Sequence, residues 1–340
     1  MKTLFIALAA TCLLAGCENK QNASSSQEQS ARHGNHMHEV RHDVPLDSIW
    51  LSDPAVLADP VTHLYYMTGT GGMQWRSKDL KLWDGPYRII EPDTTSWMGS
   101  RPMVWAAEPH LYNGRYYYFG TFTNRSSIIA ENHNGQIPRR SCHILVSDKA
   151  EGPFRPMGEA LYVRPDVPTL DATFFVDTDS LPWLLYCEEW LINDNGTVEA
   201  VRLNEDLSAT VGESMVLFRA FDSPWSLNDA GTGPNQVTDG PFAFRTGTGR
   251  LGIFWTSWNN GVYTTGVAYS VSGKMEGPWQ QLQDPILPGN FGHAMLFRDF
   301  DGRYMMAVHS NRNLPGGGKE RHPFFFEVDL SGDELKVLVP

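Results

Sequence analysis

Apolar stretches in this chain are short, and polar or turn residues break them at regular intervals. One unit recurs: a polar entry, a short apolar run, a Gly- or Asp-rich turn, and a second run rich in aromatic residues. Its copies read DPAVLADPVTHLYYMTG, EPHLYNGRYYYFGTF, DATFFVDTDSLPWLLYCEEW, DGPFAFRTGTGRLGIFWTSW and GHAMLFRDFDGRYMMAVHS. Runs of this length with this turn chemistry predict β-hairpins. A second repeat supports the first. SKDLKLWDGPY, SDKAEGPF and SGKMEGPW each follow a hairpin and share a serine, a polar stretch and a Gly-Pro-aromatic exit, as an outer strand and its closing turn would. No apolar run alternates with a helical pattern, so parallel strands with crossover helices are not expected. Five units of about 55 to 70 residues, each with three or four strands, predict an all-β, five-bladed β-propeller with a central funnel-shaped site.

That architecture makes a geometric prediction. The first strand of each blade is innermost and starts at one face of the disc, and the antiparallel second strand returns to that face. The predicted starts are Asp53, Glu108, Asp171, Asp239 and His293; the predicted ends are near Thr68, Phe122, Glu188-Glu189, Trp258 and His309. Carboxylates from several blades therefore converge on one funnel, which is unfavourable unless they perform a task.

Composition narrows the class. The chain has 340 residues, 41% hydrophobic, 12% aromatic and 19% charged, with a net charge of −12. The acidic balance argues against a nucleic-acid partner. Met1-Lys2, an apolar stretch and Leu14-Ala15-Gly16-Cys17 read as a bacterial lipoprotein signal over 1–17, with Cys17 the lipidated residue. The expected location is therefore outside the cytoplasm, lipid-anchored to a membrane. Residues 18–44 carry almost no large apolar side chain and read as a disordered, His-rich tether; 45–340 form the propeller, expected to be monomeric. Cys142 and Cys187 lie in apolar runs and are expected to be buried free thiols.

Two carboxylates separated by room for a water are the apparatus of inverting glycoside hydrolysis, one activating the water and the other protonating the leaving oxygen. A third can tune the acid by like-charge repulsion. Trp105, Trp190, Trp258 and Phe291 would suit the apolar faces of a sugar, and Glu108 its hydroxyls. LSDPAVL, WAAEPHLYNGRYYYFGT, LDATFFVD, LLYCEEW, TDGPFAF and FGHAMLF, in this order on successive blades, resemble the family-43 glycoside hydrolases over about 45–335. The resemblance implies a five-bladed propeller and an inverting arabinofuranosidase- or xylosidase-like activity. It makes Asp53 the general base and Asp171 the tuning carboxylate. It also sets His293 near the propeller axis, contacting a Ca2+ directly or through water; a hydrogen-bonded core histidine is the other reading. No dense acidic loop supplies calcium's oxygen ligands, so such an ion would be structural and held largely by water, with no cofactor required.

The general acid is where the chain departs from many members of the family, which have Glu at the start of blade four where this chain has Asp239. Asp is one methylene shorter, and proton transfer needs hydrogen-bond reach. Asp239-Gly240-Pro241 also resembles the outer-turn motif Asp84-Gly85-Pro86. Glu189, expected beside Asp171, is the preferred donor, with Asp239 then a supporting carboxylate and Glu188 facing a neighbouring blade or solvent. Arg321 is expected at the surface. A long insertion before blade four, RAFDSPWSLNDAGTGPNQ, could wall off one end of the site and favour exo action. The leading expectation is an inverting exo-glycosidase acting on plant-type polysaccharide, on α-L-arabinofuranosides first and β-xylosides or galactose-type sugars next. A surface glycan-binding lipoprotein without catalysis is the alternative.

Overall fold

The computed structural model describes residues 39–338 apart from Glu159, 227–235 and 316–317. The lipobox with Cys17, most of the tether and the middle of the insertion before blade four lie outside the described residues. The propeller is drawn from His38–Arg312 and Lys319–Pro340.

Its five blades are antiparallel sheets. The inner and second strands are Ala55–Asp59 and Leu64–Thr68 in blade one, and Met103–Tyr112 and Arg115–Asn132 in blade two. They are Thr169–Val176 and Pro182–Glu188 in blade three, Asp239–Arg245 and Leu251–Asn259 in blade four, and Phe291–Arg298 and Tyr304–Ser310 in blade five. The five inner strands touch in cyclic order, the fifth closing on the first.

The core is five clusters, one in each gap between neighbouring blades. Trp183 and Trp255 fill the gap between blades three and four, for example, and Trp83 packs with Met295 and Phe297 where blade five meets blade one. A middle strand is therefore covered on both faces, and all seven residues of Pro182–Glu188 are buried. Such a strand reads as a continuous apolar run rather than an alternating one.

Ring closure uses no shared blade: side chains pack across the seam and the Leu51 N–H donates to Arg321 O (3.0 Å). Blade five is built wholly from the C-terminal part of the chain, while the N-terminal strand Arg41–Pro45 adds a fifth strand to the outer edge of blade one. The expected tether is thus shorter than 18–44, because Val44 is buried in that sheet. All three Gly-Pro exits of the second repeat, at Gly85-Pro86, Gly152-Pro153 and Gly277-Pro278, have cis peptide bonds. Cys142 and Cys187 are buried free thiols.

Candidate active site

One irregularity recurs at the funnel end of the inner strands. In blades two to five the pairing runs Val104 opposite Phe122 then Ala107 opposite Gly120; Leu170 opposite Cys187 then Thr173 opposite Leu185; Asp239 opposite Thr256 then Phe242 opposite Phe254; Gly292 opposite His309 then Met295 opposite Ala307. Each inner strand gains one residue, a β-bulge, which re-aims the extra side chain. The residues at the equivalent position are Asp53, Trp105, Asp171, Gly240 and His293. Four of them have positive φ, namely Asp53, Asp171, Gly240 and His293. That conformation is uncommon outside glycine, and three non-glycine residues holding it at one level mark a built site.

The bulges are tied to the preceding blade. The Asp171 N–H donates to Thr121 Oγ1 of blade two (2.8 Å), and the His293 N–H to Thr256 Oγ1 of blade four (2.8 Å). The Asp53 N–H donates to His309 Nδ1 of blade five (3.0 Å), which closes the ring at the site itself. Gly240 departs from the pattern, because its N–H donates to the Asp171 side chain (Oδ2, 2.9 Å). A Cβ on Gly240 would lie 2.9 Å from His293 Cγ, so the close approach of these two blades requires glycine here.

His293 sits between two carboxylates, its Nδ1 3.2 Å from Asp53 Oδ1 and 3.8 Å from Asp171 Oδ2. Burial alone would strip its proton, but Asp53 and Asp171 push it up to about 10. Burial likewise disfavours charge on Asp53, yet the His293 imidazolium, with help from Arg321, holds that carboxyl well below the usual range. Thr70 Oγ1 donates to its second oxygen (2.5 Å). His309 is fully buried and neutral, held at about 3 by burial and by the positive charge of Arg321. Since its Nδ1 accepts the Asp53 N–H, its 3.3 Å approach to Asp53 Oδ1 is not an ion pair.

The other two carboxyls go the opposite way. Burial raises Asp171 to about 6, with the Asp53 charge adding to it and His293 opposing. Burial and the Asp171 charge push Asp239 up to about 8. The Tyr263 hydroxyl donates to Asp239 Oδ2 (3.1 Å), and the Tyr263 ring stacks on His309 at 5.5 Å. Asp239 begins the inner strand of blade four, not an outer turn, and it remains partly exposed.

Glu189 is placed differently. It follows blade three's second strand and is 6% exposed, with Oε1 ion-paired to Arg140 and Oε2 buried without a hydrogen-bond partner. Arg140 lies over the Trp105 ring at 4.6 Å, and both donate to Thr123 Oγ1. Burial raises the Glu189 carboxyl while Arg140 opposes. A proton donor must touch the leaving oxygen, and Asp239 is the accessible carboxyl of the two. Of the two candidate donors Asp239 is the more open. Glu188 is buried and engaged by Arg164 and Asn193.

Two further residues, Glu108 and Arg321, are placed differently from expectation. Glu108 lies mid-strand opposite Phe119, three residues past the equivalent position that Trp105 holds. It accepts the Thr173 hydroxyl (2.6 Å) and pairs with His110, joining blades two and three rather than facing the funnel. Arg321 does reach the site, donating to Ser52 Oγ and Asn311 Oδ1 (3.4 Å each). Trp258 is partly buried against Tyr263 with Lys319 over its ring, Phe291 packs on Phe324 and Phe326, and Trp190 packs against the blade three–four core. His293 Nδ1 is engaged by Asp53, and among the described residues no group of three or more His, Cys, Asp or Glu is arranged to hold a metal, so a calcium ion here would be held largely by water.

A model of glycosyl hydrolases family 43 matches residues 44–335. The chain belongs to that family. It is therefore a glycoside hydrolase, and its folded unit is the five-bladed propeller of its relatives. An endo-arabinase from Bacteroides thetaiotaomicron is 34% identical, with 84% of this chain and 96% of that one covered and a TM-score of 0.73. An endo-1,4-beta-xylanase from the same organism (18% identity, 89% and 97% covered, TM-score 0.67) shares the fold. So does an alpha-L-arabinofuranosidase from Lactobacillus brevis (17%, 87% and 99%, TM-score 0.64). No curated protein matches the chain.

The Tyr263 contact gives a pH prediction. If Asp239 must carry a proton, kcat/KM falls as pH rises through about 8. The Tyr263 hydroxyl stabilises the ionised carboxylate, so Tyr263→Phe moves that alkaline limb to higher pH, while the acid limb, set elsewhere, stays in place. A pH profile of both proteins checks it; a limb that moves down would remove Asp239 from the role.

Proposed function

We propose that this enzyme hydrolyses α-L-arabinofuranosidic bonds at chain ends with inversion, Asp53 acting as general base and Asp239 as general acid. The observation that carries this reading is the separation of the carboxyls: Asp53 is held ionised by His293, whereas Asp239, on another blade of the same funnel, is held protonated to about 8. Environments that push two carboxyls apart in this way assign base and acid. Asp53 takes a proton from water as it attacks the anomeric carbon. Asp239 gives its proton to the departing glycosidic oxygen. Asp171, bonded to Gly240 next in the chain, raises Asp239 by its charge and fixes its backbone. His293 orients Asp53 and keeps it from taking up a proton before the water arrives.

The choice of arabinose rests on the endo-arabinase at 34% identity. The lipid anchor at Cys17 and a location outside the cytoplasm belong to the same proposal and rest on Leu14-Ala15-Gly16-Cys17. Proton NMR of the first-formed sugar tests the stereochemistry: the β-anomer should appear first from an α-arabinofuranoside, and α-anomer first would exclude a direct water attack. Asp53→Asn should lower kcat/KM by about 10²- to 10⁴-fold, and it should also cost stability, because it removes the carboxylate that pairs with the buried His293 imidazolium.

A further inference from the structure

Blade two is unlike the others. Its second and third strands are 18 and 13 residues long, Arg115–Asn132 and Gly135–Ser147, whereas the second strands elsewhere have 5, 7, 9 and 7. Phe122 opposite Val104 marks the level of the bulges, yet the hairpin pairing continues to Asn132 opposite Gly135. Asn124 to Asn132 therefore rises above the funnel mouth, a contour of about 30 Å at the rise of a strand.

This arm is moored over blade three on both sides of its mouth. At the base, Arg139 Nη1 donates to Pro165 O (3.1 Å), ahead of blade three's inner strand, and Arg140 pairs with Glu189. At the tip, the Asn132 and Asn134 amides donate to Leu191 O (2.8 and 3.0 Å), and His133 pairs with Asp194 (2.9 Å). The moored segment leads on toward the acid. The Gln236 N–H donates to Asp194 O and the Gly196 N–H to Gln236 O, both at 2.8 Å, and Asp239 is three residues beyond Gln236. A continuous hydrogen-bonded rim thus runs from blade two, over blade three, to the entry of blade four.

We propose that this arm is the specificity-determining wall of the site: it stops a glycan from continuing past blades two and three, so that the sugar held over Asp53 and Asp239 is a chain end. The proposal rests on the glycosidase reading above and deepens it. A polymer cleaved internally must lie across the funnel with an exit on both sides, and the rim closes one. The sequence pointed instead to the insertion before blade four as the wall; the arm escaped notice because its outer half continues the hairpin pattern of the blade.

The test shortens the arm to the height of its neighbours, joining Asn124 to Arg140 through an Asn-Gly turn and so keeping Thr123, Trp105 and the Arg140–Glu189 pair. Wild type on linear arabinan should release monosaccharide, with few internal fragments. The shortened enzyme should raise the ratio of fragments to monosaccharide at least about tenfold, while kcat/KM on an aryl arabinofuranoside stays within about threefold, since that substrate never meets the wall. Should the deletion fail to fold, the triple variant Asn132→Ala, His133→Ala, Asn134→Ala keeps the arm and cuts its tip moorings; a rise of about threefold in the same ratio is expected. An unchanged ratio in either folded variant overturns the proposal, as does wild type that already cuts internally. The sugar assignment fails separately. Wild type that turns over linear xylan or galactan in place of arabinan sinks the arabinose reading, and the fragment ratio is then measured on that polymer.

Discussion

Asp239→Asn should cost about 10²- to 10⁴-fold in kcat/KM on an oligosaccharide and far less on an aryl glycoside whose phenolate leaves unaided. A sugar alkoxide is a poor leaving group and must receive a proton as the bond breaks; an activated phenolate need not. The loss therefore tracks leaving-group basicity if, and only if, the replaced residue is the donor. Asn is close to isosteric with the protonated carboxyl that Asp239 carries up to about pH 8, so the variant should fold normally. As pH rises from about 4 to about 8 it should gain stability over wild type, whose Asp239 must hold in the folded state a proton that the unfolded chain releases. Glu189→Gln is the matched comparison. With Oε1 bound to Arg140 and Oε2 buried, its replacement should act through the position of Arg140, lowering all substrates by a similar factor within about tenfold. A leaving-group dependence that appears in Glu189→Gln and not in Asp239→Asn would reverse the assignment.

The fold was legible because every blade announces itself by its hairpin and three of the five also by a Gly-Pro exit, and the hairpins place strand starts at one face. Asp53, Asp171 and His293 followed from that placement, and all three hold the equivalent bulge position. What the repeat could not give was register. Glu108 fits the pattern of a strand start in sequence, but the inner strand of blade two begins five residues earlier, at Met103, and the bulge position belongs to Trp105. Asp239 similarly precedes its bulge by one residue, which is why Gly240, not an acid, meets His293. Contacts made across ring closure were equally hidden. His309 and Arg321 reach Asp53 and Ser52 from some 250 residues away in sequence, and a lone arginine before a strand reads as surface until the ring is closed. Tyr263 lies on a third strand, to which the funnel geometry of first and second strands assigned no role. Glu188 and Glu189 illustrate the limit of alternation: a two-residue period separates their faces, yet both are buried, because blade three is covered on both sides.

The Arg140–Glu189 pair should show the largest effect on stability. Both side chains are largely buried, at 13% and 7% exposure, and Arg140 also bonds Thr123 and covers Trp105. Arg140→Ala strands a carboxylate in the gap between blades two and three, and removing one partner of such a pair costs about 3–5 kcal/mol. Arg140→Met with Glu189→Leu should recover most of that loss, since an apolar pair needs no desolvation of charge. The pH dependence separates this cause from lost packing. Even with Arg140 present, burial raises the Glu189 carboxyl above its unfolded value, and without Arg140 it rises further. A group raised on folding stabilises the folded state below its unfolded pKa and loses that contribution as pH rises through the folded one. The deficit of Arg140→Ala against wild type should therefore be small below pH 4, where Glu189 is neutral in both states, and widen toward neutrality. Urea titrations of the two proteins across that range measure it. A deficit that stays constant with pH would mean that Arg140 acts by packing on Trp105 and not through the charge of Glu189.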